Sequence, residues 1–164
     1  MKEIFHRTSI RQFQDKEVEV EKIQLLLRAG MQAPSAGNQQ PWEFYVVRNK
    51  ELLAKLAETS PYAGCVKNAP LAIVIASRDD VIFPDYQDID CAIATESMML
   101  EADALELGSV MLGIAPLQER VKAVSELLHM PEHQHAFTIL AAGYPIEVKP
   151  QQDRYDEKKV HFAD

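Results

Sequence analysis

The chain has 164 residues, the size of one domain, and is long enough to bury roughly two thirds of the surface that its unfolded form exposes. Its net charge of −8, from 25 acidic and 17 basic residues, argues against nucleic acid as a partner, since a phosphate backbone wants a basic face. No stretch approaches the ~20 apolar residues of a membrane helix, and Met1-Lys2-Glu3-Ile4-Phe5-His6 holds no signal-peptide core, so a soluble cytoplasmic protein without a membrane partner is expected.

Val20 to Gln32 carries Ile23, Leu26, Leu27, Gly30 and Met31 at helical spacing, which predicts an amphipathic helix that stops before Pro34. Glu43 to Val47 is rich in aromatic and β-branched residues and reads as a strand. Asn49 is placed to cap a short helix whose inner side is Leu52, Leu53, Leu56 and Ala57, before Ser60-Pro61-Tyr62-Ala63-Gly64 breaks it. Leu71 to Ala76 is apolar throughout, as a strand covered on both faces should be. A long helix is expected from Gln87 to Leu107, with Ile93, Ser97, Leu100, Ala104 and Leu107 along one side and Gly108 as its cap. Ser109 to Leu112 follows as a strand, Gln118 to His129 as a helix with Val121, Val124, Leu127 and Leu128 inward, and Phe137 to Ala142 as the last strand. From Glu147 to Asp164 the chain is mostly charged, with Tyr155, Val160 and Phe162 as its large apolar groups. Such a tail is either disordered or laid across another subunit.

Two segments carry chemistry. Arg7-Thr8-Ser9-Ile10-Arg11 sets two guanidinium groups around two hydroxyls, a donor set that suits a phosphate. Alone, two such arginines on an acidic chain are more commonly surface ion-pair partners. Ala33 to Trp42 lies between a helix and a strand, bracketed by Pro34 and Pro41. Gly37 permits a positive φ there, and Ser35, Asn38, Gln39 and Gln40 offer uncharged donors and acceptors, an inventory for a flat, polar-edged ring. Taken alone, that segment also reads as an ordinary loop.

Other groupings read as bland. Cys65 and Cys91 lack CxxC spacing and fit reduced thiols. His129, His133 and His135 have no cysteine nearby, and Asp85, Asp88 and Asp90 fit a solvated acidic helix start, so no metal site is expected.

In this order, the motifs resemble those of the nitroreductase family of flavin mononucleotide (FMN) proteins, in its short form. The resemblance rests on Arg7 to Phe13, Ala33 to Trp42, the Asp90-led helix ending in Leu107-Gly108, Gly143-Tyr144-Pro145, and Arg154 in the tail. It implies an α+β fold over residues 1–164, with a mostly antiparallel central sheet covered by helices. It also implies an intertwined homodimer whose 147–164 arm crosses to the partner, with FMN at the interface. Carried over by position, Arg7, Thr8 (through its backbone), Ser9, Arg11 and Arg154 would hold the phosphate end. Pro34, Ser35, Ala36 and Asn38 would lie along the ribityl chain and ring, and Leu112, Gly113 and Ile114 against the ring's far side. Ser97, Glu106 and Met111 stand where the family commonly has asparagine, glycine and tryptophan. The implied activity is ping-pong reduction of a small conjugated acceptor, a nitroaromatic, a quinone or similar, by NADH or NADPH. No catalytic side chain is required, because a flavin carries such chemistry itself. The alternatives are a non-catalytic flavin store, sensor or scaffold, and a specialised deiodinating or flavin-fragmenting enzyme.

Overall fold

The computed structural model describes residues 2–146 and 149–163; Met1, and Glu147, Val148 and Asp164 of the expected arm, lie outside them. Its helices are α1 (Glu3–His6), α2 (Val20–Met31), α3 (Lys50–Glu58), α4 (Gln87–Ala104) and α5 (Gln118–Leu127), and its strands β1 (Trp42–Val47), β2 (Leu71–Arg78), β3 (Gly108–Gly113) and β4 (Gln134–Gly143). The strands form one sheet in the order β1-β2-β4-β3, antiparallel at every pairing.

Strand alternation builds two cores, one on each face. Leu71, Ile73 and Ile75 of β2 join Leu26 of α2 with Cys91, Ala94 and Met98 of α4, whereas Ala72 and Val74 join Leu53 and Leu56 of α3 with Val121 and Val124 of α5. Both faces of β2 are therefore covered, which is why its apolar run is continuous. The helix ends follow local chemistry. The Asn49 side chain accepts the Leu52 N–H at 3.0 Å and starts α3 as expected.

The long helix departs from expectation in two ways. It buries Asp90, Cys91, Ala94, Thr95, Met98, Met99 and Ala102, not the Ile93–Ala104 stripe, and Ile93 stays 38% exposed. Apolar residues stand on both of its sides, so spacing alone does not say which one meets the sheet. Its end is also not capped by Gly108, which begins β3. Glu106 takes the left-handed position at φ 62°, with Glu106 N–H on Asp103 O at 3.1 Å and Leu107 N–H on Ala102 O at 2.8 Å. That pair is the usual two-bond close of a helix, carried here by a residue with a Cβ. The end of α5 repeats it, with His129 at φ 51°.

Candidate functional site

The N-terminal segment is tied to the first residues of β3. His6 Nδ1 meets the Asp103 carboxylate of α4 at 2.8 Å, and Arg7 Nε lies 3.3 Å from Glu96 Oε1. That contact is out of hydrogen-bonding alignment, and Arg7 Nε is buried without a hydrogen-bond partner among the described residues. Ser9 bridges Ser109 in parallel, the Ile10 N–H donates to Ser109 O at 2.9 Å, and Ile10 packs so close that a Cβ on Gly108 would meet it at 2.7 Å. Lys149 Nζ donates to Ser9 O at 3.1 Å. Arg7, Thr8, Ser109 and Lys149 thus share one cavity of about 450 Å³ with His6 and Asp103.

Arg11 is exposed. It sits near Cys65, where burial pushes the thiol up and the guanidinium opposes that shift.

The Ala33–Trp42 segment is held by bonds from outside itself. Asp90 of α4 is 2% exposed; its Oδ1 accepts the Ala36 N–H at 3.0 Å and its Oδ2 accepts Gln39 Nε2 at 2.7 Å. The expectation of a solvated Asp90 is therefore corrected: the first turn of α4 turns this carboxylate inward to the loop. Asp88 meets Ser77 Oγ at 3.3 Å. Gln39 also donates to Phe83 O at 3.0 Å and accepts the Phe83 N–H at 2.8 Å. Within the loop, Ser35 Oγ accepts the Gln40 N–H at 3.0 Å, and Gly37, Asn38 and Gln40 have φ values of 55°, 56° and 50°. Pro34 lines a second cavity, of about 330 Å³, against Ser97, Leu100 and Ala104.

β3 is an edge strand. Ser109 O faces outward, since it accepts from Ile10, so alternation turns the backbone groups of Met111 and Gly113 outward as well. Leu112 and Ile114 are buried, and Gly113 is exposed. Arg120 Nη1 approaches Gly113 O at 3.4 Å, and its guanidinium lies 5.6 Å from the Tyr62 ring centroid.

A sequence profile of the Nitroreductase family matches residues 4–61 and 60–144, from α1 to the end of β4. The chain belongs to the Nitroreductase family. It is 40% identical over 157 residues to a Methanothermobacter thermautotrophicus protein provisionally named NADH dehydrogenase/NAD(P)H nitroreductase, with 95% of this chain and 82% of that one covered. Its fold is similar to that of a Clostridium acetobutylicum protein provisionally named NADH oxidase, at a TM-score of 0.96 and 43% identity over 99% of both chains. It is also similar to an FMN-dependent nitroreductase of Clostridium difficile, at a TM-score of 0.93 and 34% identity over 100% of this chain and 99% of that one.

For a nitroreductase-family chain, the structure brings together some of the residues expected at the site. Arg7, Thr8 and Ser9 converge with the start of β3. Pro34 belongs to a different cavity, and among the described residues Arg154 bonds only Gln152, at 3.0 and 2.6 Å, within a tail exposed from 151 to 163. Sequence reasoning missed four contributors: Asp90 as the loop's anchor, Glu96 beside Arg7, Lys149 on Ser9, and Arg120 at Gly113. An acid in a helix's first turn or a lone tail lysine reads the same whether solvated or engaged, so no local signal marked them.

His135, one of the three histidines weighed for metal, pairs with Asp79 at 2.7 Å. Among the described residues no group of three His, Cys, Asp or Glu side chains is placed to hold a metal ion, and no helix is long and apolar enough to cross a membrane.

Proposed function

We propose that the protein is an FMN-dependent oxidoreductase that passes electrons from NADH or NADPH to a small conjugated acceptor, in two half-reactions within one cleft. The observation that carries this reading is the outer edge of β3, covered by Ser9 at Ser109 and, from Met111 to Gly113, bonded among the described residues only by Arg120 at Gly113 O, with Arg7 and Arg11 on the covering segment. The residues fit the cofactor: among the described residues Arg7 Nε is a buried donor with no aligned hydrogen-bond acceptor, and a phosphate oxygen supplies one.

On this reading Arg7, Ser9 and Arg11 hold the phosphate and ribityl chain, the Thr8 backbone completes the shell, and Arg154 adds a further guanidinium. Leu112 and Ile114 give the ring a dry backing, while the outward backbone of Gly113 meets its polar edge. Pro34, Ser35, Ala36 and Asn38 come from the partner in a homodimer, and the 147–164 arm crosses to that partner. An exposed tail carrying Tyr155 at 76% and Phe162 at 88% exposure supports that arm, as does Ile93 on the open side of α4. Residues 1–164 then form one FMN-binding domain. When bound, FMN supplies the two-electron chemistry, which leaves the side chains to bind, orient and exclude water.

The test is anaerobic addition of NADH and NADPH to the purified, flavin-loaded protein. Bleaching of the flavin's visible band, with recovery on adding a quinone or nitroaromatic, is expected. A band that persists with both nucleotides refutes the reductase reading and leaves a flavin store; a protein that takes up no FMN refutes both.

A further inference from the structure

We propose that Asp90 is a positioning residue that sets the 33–41 loop in its cofactor-binding shape before FMN arrives, an inference that rests on the FMN reading above. The loop needs such a hold. Gly37, Asn38 and Gln40 all lie in the left-handed region, which Gln40 disfavours by roughly five- to thirtyfold and Asn38 by less. A chain left to itself would relax out of it.

Among the described residues both hydrogen bonds of the Asp90 side chain go to this loop, one from the Ala36 N–H and one from the Gln39 amide. The carboxylate sits in the first turn of an 18-residue helix, where the free N–H ends favour negative charge. It is nearly sealed from water at 2% exposure, so the carboxylate has no solvent as a ready substitute for either donor.

The geometry admits one arrangement of the Gln39 amide. Its Oε1 accepts the Phe83 N–H and its Nε2 donates to Phe83 O, so the remaining N–H of Nε2 must face Asp90. The Phe83 ring closes over Gly37, where an added Cβ would meet it at 2.5 Å. Asp90, Gln39 and Phe83 form one clamp, and the Asn38 side chain is left outside it: Asn38 is exposed, and among the described residues its only side-chain hydrogen bond is to Gln40.

Asp90→Asn tests this with almost no change of shape. Both partners of the side chain are donors, so the new NH2 must face one of them, and Gln39 cannot flip to relieve it without opposing both backbone groups of Phe83. The expected result is an FMN Kd raised about 10- to 100-fold in titrations of the apoprotein. Amide exchange should quicken at 35–40 in the FMN-free protein, with β2 and β4 protection unchanged. Gln39→Ala, which leaves the core untouched, should raise the Kd less and quicken the same amides. Wild-type affinity with unchanged exchange at 35–40 overturns the proposal, as does faster exchange spread equally over β2 and β4. If the wild-type apoprotein binds no FMN, the cofactor reading fails instead, and the exchange pattern alone decides whether Asp90 holds the loop.

Discussion

A Cβ added at Gly37 would stand 2.5 Å from Phe83 Cε2, on a backbone whose φ is 55°. Phe83 is 44% exposed and its ring can swing aside, so the left-handed backbone sets most of the cost of Gly37→Ala. Thermal unfolding should register a loss of about 1–2 kcal/mol. A loss near zero would mean that the loop takes another shape. Glu106 presents the opposite case, since a residue with a Cβ occupies the left-handed close of α4. Glu106→Gly removes that strain at some entropic cost, and a gain of about 0.5–1 kcal/mol in urea unfolding is expected. Its exposed side chain makes no hydrogen bond among the described residues, so little else is lost.

The long helix carries two apolar sides, and only one meets its own sheet. Ile93→Glu on the outer side should change the folding stability of an isolated protomer by within about 0.5 kcal/mol, yet break association of two copies. Sedimentation with circular dichroism on the same sample checks both; a variant that still sediments as a dimer would remove this side of α4 from the interface. On the inner side, burial drives the Cys91 thiol well above its ordinary value, helped by the Asp88 and Asp90 carboxylates. Above about pH 9.0, the ordinary value for a thiol, the unfolded chain releases a proton that the folded chain keeps. Stability therefore falls as pH climbs past that point, at up to about 1.4 kcal/mol per unit for this one group. Cys91→Ala should flatten the alkaline limb of urea midpoints relative to wild type. An unchanged limb would show that the thiol ionises in the folded protein.

For the whole molecule, the chain holds Arg7 and Thr8 on one cavity and Pro34 on another, while Arg154 stands on an exposed tail. One FMN reaches all three groups if a second copy completes the site. Removing residues 150–164 should then weaken both association and FMN binding, the latter about tenfold or more, in sedimentation and in flavin titration of the same preparation. A truncated protein that stays dimeric and binds FMN as tightly would show that the tail takes no part.

The sequence by itself determined the order and kind of the main elements, because local spacing decides them. The continuous run of β2 demanded cover on both faces, Asn49 marked the start of α3, and Gly37 between two prolines marked the loop with a positive φ. The paired arginines and the Pro34–Asn38 run also pointed to the family. Tertiary structure alone decided what depends on partners distant in the chain. Helical spacing is satisfied equally by either apolar side of α4, so packing against α2 and β2 chose the Cys91–Met98 side over Ile93. An aspartate in a first turn is as stable in water as on a loop, and only the approach of Ala36 and Gln39 made Asp90 a buried anchor. Arg7 meets Glu96 for the same reason: hydrogen bonds and charges act over ångströms in space, whatever their separation along the chain.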